Sequence, residues 1–586
     1  MNIALVMIGS VAALLLGYRW YGRFIARSVG VDETKPTPAT TVNDGVDYVP
    51  TKPMILFGHH YASIAAAGPI VGPTLALYYG VVPTWLWIVF GVIFIGAVHD
   101  FSVLFVSARE GGKSIAEVAR KTLGKRGFVF FISFALLLGI LVTAAFLDLA
   151  ARALTSEYAL EGLHMTSEQT LIRTEIKPDG QHYAKLGGIA STSVVIITVF
   201  SPLIGYLLYK KNAGVLAMSA LAIVISVVSV VVGFEFPVTF DPLLWMLILS
   251  VYMIIAARVP VWIILQPRDF INVHFLYLGL IAMMAGIIAS GVNGIVIQAP
   301  AFNLSGDALR ALGLAWPFLF VTIACGACSG AHCLIASGTT SKQLSSEKHA
   351  LPIGYGGMLL EAVLGLCVTL SIVGGLGFVE YEAIVWPQVD GEFLPGNAPL
   401  AFALAVGKTL FNGFSIPPLY GTLFGILILE GFVITTIDTL IRLERYLFEE
   451  LWEALLPTVP AFLKSRTFNS LLAVALMMIL AFSNAYQTIW PVFGSANQLL
   501  AALALIAVTA WFVQKGKKAW FTALPAAFMV LTTLVSLGFL LERYISDRHW
   551  LLASTDILLI VLAVGVVVLT FKYFYSMRGR LASEGL

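Results

Sequence analysis

Apolar runs of membrane-spanning length recur from one end of this chain to the other, and that repetition limits its fold more than any motif does. A helix needs about 20 mostly apolar residues to cross a bilayer. About fifteen stretches qualify by that length criterion: 2–18, 56–80, 84–106, 127–150, 187–209, 213–234, 241–258, 272–299, 313–337, 351–377, 419–440, 468–489, 491–513, 519–541 and 554–575. Of the 586 residues, 59% are hydrophobic and 12% charged. A single soluble core stops growing at about 250–300 residues, so a water-soluble chain this long has nowhere to bury that excess. The apolar residues must face lipid, which predicts an all-α polytopic membrane protein.

Charge excludes one class of partner and orients the spans. A net charge of +2 gives no global field for nucleic acid, and no zinc-knuckle, Walker or dinucleotide fingerprint is present. The basic residues fall in alternate connectors: Arg109, Lys113, Arg120, Lys121, Lys125 and Arg126 after the third span, Lys210 and Lys211 after the fifth, Arg258 and Arg268 after the seventh, Lys342 and Lys348 after the ninth. The segment from Arg442 to Arg466 and the run Lys515, Lys517, Lys518 share that side, which the positive-inside rule makes cytoplasmic. The N-terminus is then outside and the C-terminus inside. Residues 378–397 carry Glu380, Glu382, Asp390 and Glu392 and no Lys or Arg, as an external loop should. Parity makes 419–440 a crossing and 398–414 an external interfacial or re-entrant segment, while 151–186 is long enough for a small external structure. No signal-peptide pattern interrupts this reading: residues 2–16 lack a basic leader and an obvious cleavage site and read as a retained helix. The expected organisation is an N-terminal peripheral helix and cytoplasmic segment over 1–55, a transport core over 56–513 and peripheral helices over 514–586.

Inside a bilayer, interrupted helices are tolerated where they line a cavity. Two spans are interrupted. GHHYASIAAAGPIVGP, Gly58 to Pro73, holds two Gly-Pro steps that unwind a helix, and CGACSGAHCLIASGTT, Cys325 to Thr340, is a run of small and hydroxyl residues around His332. Close helix packing accounts for the Gly and Ala but not for a His in each segment. In both, a His precedes a small-residue run ending in Gly: His60 before Gly68, His332 before Gly338. One helix would run outward and the other inward, the arrangement of inverted repeats that offer half-helix N-termini to an anion. A third small-polar segment, Trp490 to Gln498, opens the span at 491–513, where an aromatic belt residue followed by a helix-starting proline reads nearly as well.

These segments carry a family resemblance. GHHYASIAAAGPIVGP, VHDFSVLFVSAREGGKSIAEVAR (Val98 to Arg120), QPRDFINVHFL (Gln266 to Leu276), TIACGACSGAHCLIASGTTSKQL (Thr322 to Leu344), IGYGGMLLEAV (Ile353 to Val363) and WPVFGSANQLLAALAL (Trp490 to Leu505) resemble the carbon starvation protein A family, as does DYVPTKPMILFGHH, Asp47 to His60. The resemblance implies a bacterial inner-membrane transporter related to the amino acid, polyamine and organocation superfamily. It also implies a LeuT-like core of two inverted five-helix repeats and proton-driven uptake of peptides or pyruvate. The brief region between 378 and 418 resembles a trimmed member, which leaves the substrate open.

Ionisable residues within spans are costly, about 2.5–3.5 kcal/mol at the bilayer centre, and mark function by default. His59 and His60 flank the first break, where an imidazole near its ordinary titration range can exchange a proton or pair with a carboxylate. Glu361 and Asp438 are further proton-coupling candidates, although Asp438 lies within one turn of Arg442 and an ion pair there is the plainer reading. Asp100 is a candidate inner gate with Arg268 or, alternatively, a helix cap, and Asp556 reads as a helix cap. The expected substrate-binding set is His59, His60, Ala67, Gly68, Ser337, Gly338, Thr339, Thr340, Asn497 and Gln498, with His60, Glu361 and Asp438 carrying the proton.

The function expected is a proton-coupled secondary importer of short peptides or pyruvate, with no enzymatic activity and no cofactor beyond the coupling proton. A sodium-coupled amino acid or carboxylate symporter is the first alternative, because carbonyls and hydroxyls at unwound helices also bind Na+. The second is a metal-binding or redox-sensing membrane protein. Cys325, Cys328, His332 and Cys333 stand at helical offsets of three, seven and eight and could face one ion, although buried reduced Cys is also a common packing residue. The partners expected are the bilayer and a small-molecule substrate, and the sequence does not set the oligomeric state.

Overall fold

The computed structural model describes residues 1–44, 48–169, 171–211, 213–260, 262–304, 306–483 and 486–583; Asp47 of the DYVPTKP motif lies outside them. Among the described residues, twelve helices are long and apolar enough to cross a membrane, from Ile3–Val29 to Trp550–Tyr573. A thirteenth forms if the pair Pro53–Ile64 and Gly68–Tyr79, bent by 48°, is one span. The remaining two of the fifteen expected spans are shorter than their apolar runs. Pro242–Arg258 has 17 residues and begins where Asp241 accepts a hydrogen bond from the Leu244 amide, so the cap sets the helix start. The 313–337 run is divided into Ala315–Thr322, Ala324–Ala327 and Ala331–Ile335.

Burial separates a centre from a periphery. The apolar windows of Glu347–Leu376 and Tyr486–Gln514 are each 89% buried inside the protein, against 28% for Val215–Glu235. The first two have almost no face left for lipid; the third is mostly lipid-facing. Trp520–Ser546 and Trp550–Tyr573 are intermediate at 44% and 39%. Asp556 sits two turns inside Trp550–Ser583 and not at its start, so it does not cap that helix; its buried carboxylate accepts no hydrogen bond.

The connectors gather into two groups. At the basic end, Arg109 pairs with Glu347 and donates to the Gly30 carbonyl, the Asp32 amide donates to Glu347, Lys348 pairs with Glu33, and Lys517 donates to the Val29 carbonyl. At the other end, Tyr78 donates to Glu382, and Glu380 takes both Tyr158 and Lys408. Residues 151–186 form a small structure there, with strand His182–Ala184 paired between Tyr158–Ala159 and Thr174–Ile176. Ala398–Phe414 starts and finishes at this same end: Asn397 donates to Ser156, and the Asn412 carbonyl accepts from Asn293. Twelve of its 17 residues are buried, so it packs into the bundle instead of lying on an interface.

Candidate functional site

The two interrupted spans lie side by side and run in opposite directions. The helix Pro53–Ile64 ends because Ala65 leaves helical geometry (φ −73°, ψ 74°), and Gly68–Ala76 restarts with Pro69, which has no N–H to continue the ladder. The partner breaks where Cys328 turns extended (φ −163°, ψ 114°) and resumes at Ala331–Ile335. His60 Nδ1 is 2.9 Å from Thr340 Oγ1 at one end of the contact. At the other, a Cβ added to Gly68 would stand 2.3 Å from Cys325 Cβ, and one on Gly72 would stand 2.7 Å from the Thr322 carbonyl. Only glycine allows the two segments to approach this closely.

A broken helix leaves backbone groups to satisfy, and the span Tyr486–Gln514 supplies the partners. Asn497 accepts from the Ala331 amide at 3.1 Å and from Ser329 at 3.3 Å, and donates to Cys325 Sγ at 3.1 Å. Its own carbonyl accepts from the Gly330 amide at 3.0 Å. Gln498 donates to the Phe320 carbonyl and Trp490 to that of Thr322. The expected lining residue Asn497 therefore spends its side chain on the break, while the Gln498 Oε1 is buried without a hydrogen-bond partner.

Next to the breaks lies a cluster of ionisable groups. The Asp100 carboxylate bridges two imidazoles, His99 Nδ1 at 2.7 Å and His332 Nδ1 at 2.9 Å. The other His332 nitrogen, Nε2, is 3.3 Å from Glu361 Oε2. His60, His99, Asp100 and Glu361 have no solvent exposure, and His332 has 2%. Both Glu361 oxygens, His60 Nε2 and His99 Nε2 have no hydrogen-bond partner. Both His332 nitrogens thus face carboxylate oxygens. A neutral imidazole can donate to only one, so the Asp100–His332–Glu361 line has room for one additional proton, held either on the imidazole or on the Glu361 carboxyl.

Several sequence expectations are relocated. Asp100 does not meet Arg268: it is committed to the two histidines, and Arg268 pairs with Asp438 at 2.9 Å beside Tyr252. Asp438 does not pair with Arg442, which donates to the Ala256 and Val259 carbonyls. The cysteine cluster does not converge. The extended Cys328 breaks the helix that would have aligned it, Asn497 occupies Cys325, and the carboxylates engage His332. Among the described residues no three His, Cys, Asp or Glu side chains are placed to hold a metal ion. His59 and Thr339 are exposed, unlike His60 and Thr340 beside them, so the His pair divides into one outward and one inward residue. Ser337 accepts from the Ile115 amide and donates to the Cys333 carbonyl, Gly338 borders open space, and Ala67 and Gly68 are buried at the first break. Sequence reasoning missed His99, Glu430 and Asp269; the last two line up with Arg268 and Asp438 in a second buried charged group. For Glu430 the signal was the one used for Glu361, a carboxylate within an apolar run; Asp269 lies beside Arg268, outside the run at 272–299.

The family model for carbon starvation protein CstA matches residues 2–389 and 394–536. Peptide transporter CstA of Bacillus subtilis (strain 168) is 34% identical over 545 residues, covering 86% of this chain and 84% of its own. Pyruvate/proton symporter BtsT of Escherichia coli (strain K12) is 30% identical over 618 residues, covering 91% and 81%. Among solved structures, MhsT in complex with L-phenylalanine aligns with 88% of this chain and 99% of its own at 12% identity and a TM-score of 0.46. The chain belongs to the carbon starvation protein CstA family and is a membrane transporter.

Proposed function

We propose that this protein is a proton-coupled secondary importer of short peptides or pyruvate, working by alternating access about the two interrupted spans in a bacterial inner membrane, with its N-terminus outside. The observation that carries the proposal is the Asp100–His332–Glu361 line, a buried set of groups with room for one proton, placed against both helix breaks. The core is a LeuT-like pair of inverted repeats, a reading supported by the antiparallel pairing of the breaks from His60–Thr340 to Gly68–Cys325. Substrate carboxylate binds near the unwound backbone around Ala67–Gly68 and the Ser337–Thr340 segment, with His60 close by. The proton moves between His332 and Glu361 as the carboxylate arrives or leaves. Glu361 keeps its coupling role from the sequence; Asp438 is reassigned to the Arg268 ion pair. The names of the relatives support both substrate classes and, for one of them, the proton.

All nine residues of the half-helix Gly68–Ala76 are buried, while Pro53–Ile64, nearer the basic connectors, leaves Met54 and Ile55 exposed. This asymmetry fits a transporter closed on the outer side. The testing experiment is uptake by proteoliposomes under an inward proton gradient without sodium, offered pyruvate, di- and tripeptides and free amino acids. Accumulation of pyruvate or a peptide is expected; uptake that requires sodium instead would replace this reading with the sodium-coupled one.

A further inference from the structure

A second candidate site lies at the basic end of the bundle, away from the helix breaks. A cavity of ≈ 540 Å³ is walled by Lys35, Thr37, Arg109, Trp511, Lys515 and Lys517, with Glu110 and Glu347 also on its rim. That volume is in the range of small-molecule pockets, about 300–1,000 Å³. The walls come from four separate parts of the chain: the segment after the first helix, the end of Val81–Arg109, the start of Glu347–Leu376 and the end of Tyr486–Gln514.

The charges around it do not balance. Arg109 and Glu347 neutralise each other, with Glu347 also accepting from the Asp32 amide. Glu110 is taken by Lys121, from outside the cavity, and by Trp511 Nε1 at 2.8 Å. Both carboxylates are thus committed, and among the described residues Lys35, Lys515 and Lys517 form no ion pair. Lys517 donates only to a carbonyl, that of Val29, and Lys515 lies 5.9 Å from the Trp511 ring centre. An independent feature points the same way. Thr37, which lines the cavity, is 2% exposed, and its buried hydroxyl has no hydrogen-bond partner. A buried hydroxyl without a partner costs about 1–3 kcal/mol, so something of the right chemistry is expected to meet it. The positive-inside rule explains why lysines collect on this side, but it requires neither their convergence on one cavity nor an unpartnered Thr hydroxyl.

We propose that this cavity binds a phosphate-bearing anion, with the ammonium groups of Lys35, Lys515 and Lys517 neutralising it and the Thr37 hydroxyl donating to one of its oxygens. Phosphate is favoured over a lone carboxylate because three separate cations and a hydroxyl converge, matching several anionic oxygens on one centre. Burial, together with the positive charges of Arg109 and Lys35, holds the Lys517 ammonium below its ordinary range despite Glu347, and a bound anion would relieve that. The ligand would bridge the N-terminal segment to the ends of three spans and so bias the movement of the basic end during transport. The same chemistry is offered by the headgroup of an anionic phospholipid and by a soluble phosphate compound.

The test uses the full-length purified protein at matched ionic strength. In detergent, inorganic phosphate is titrated against thermal stability with chloride as control; in nanodiscs, phosphatidylglycerol is compared with a zwitterionic bilayer. Stabilisation by phosphate identifies a soluble ligand, and stabilisation by phosphatidylglycerol alone identifies a headgroup. In either case the Lys515→Ala/Lys517→Ala variant should weaken the response about tenfold or more, and Thr37→Val, which keeps shape and removes only the hydroxyl, should weaken it less. The variants' own melting temperatures without anion report whether they fold. The proposal is overturned if neither source stabilises the wild type beyond the chloride control, or if the folded lysine variant responds as the wild type does.

Discussion

Asp100 and His332 meet at 2.9 Å although 232 residues separate them in the chain. The first comes from the span Val81–Arg109 and the second from the resumed half of an interrupted helix, and both are buried. Removing one member of a buried pair leaves the other without its counter-charge, at a cost of about 3–5 kcal/mol. Asp100→Asn should therefore lower thermal stability measurably and reduce uptake. His332→Gln, which removes the imidazole together with the need for the carboxylate, should partly restore the stability of Asp100→Asn when the two are combined. Melting of the single and double variants in detergent checks the coupling.

The Gly68–Cys325 contact predicts a different kind of rescue. Gly68→Ala places a methyl 2.3 Å from Cys325 Cβ, and overpacking of this kind costs about 1–3 kcal/mol. Adding Cys325→Gly removes the opposing atoms, leaving the Cys325 Cα 3.8 Å from the new methyl. Stability should fall in the single variant and recover in the double.

Asn497 is predicted to matter for structure before substrate. Asn497→Ala leaves the Ala331 amide and Ser329 without their acceptor at the break, which should cost about 1–3 kcal/mol. Asn497→Asp keeps the acceptor oxygen but loses the donor to Cys325 and Ser329 and buries a carboxylate, so it too should melt below the wild type.

How much of this was readable beforehand depends on whether a feature is local. Apolar runs and small-residue stretches are written in consecutive residues; among the described residues twelve helices of spanning length follow the apolar runs, and helices end at Ile64 and Ala327 within the two stretches. Pairing is not local. Asp438 has Arg442 one turn away, yet that guanidinium turns to the Ala256 and Val259 carbonyls while Arg268, 170 residues distant, takes the carboxylate. The cysteine offsets assumed a regular helix, and the extended Cys328 removes that assumption. His332 was grouped with those sulfurs because its carboxylate partners lie on two other spans.

The Arg268–Asp438 pair offers a fourth stability test. Arg268→Ala should destabilise by about 3–5 kcal/mol by leaving Asp438 buried without its partner, whereas Arg268→Ala/Asp438→Ala should be milder than the single variant. A double variant as damaged as the sum of the two single ones would show that the pair is not coupled.

At the basic end, pH provides a test outside the spans. Burial pushes the Glu110 carboxyl up, but hydrogen bonds from Lys121 and Trp511 outweigh it and leave Glu110 below the ordinary carboxylate value. A carboxyl lowered by folding contributes stability above its unfolded value, about 4.3 for Glu, and loses it as pH falls through the folded value. The melting difference between wild type and Glu110→Gln should thus be full near neutral pH and vanish in acid.

The most direct test of the central claim is Glu361→Gln reconstituted in proteoliposomes, assayed for both proton-driven accumulation and downhill substrate exchange. If Glu361 and His332 share the coupling proton, the amide, which cannot release a proton, should abolish accumulation under a proton gradient while exchange continues. Accumulation at the wild-type level by Glu361→Gln would contradict the account.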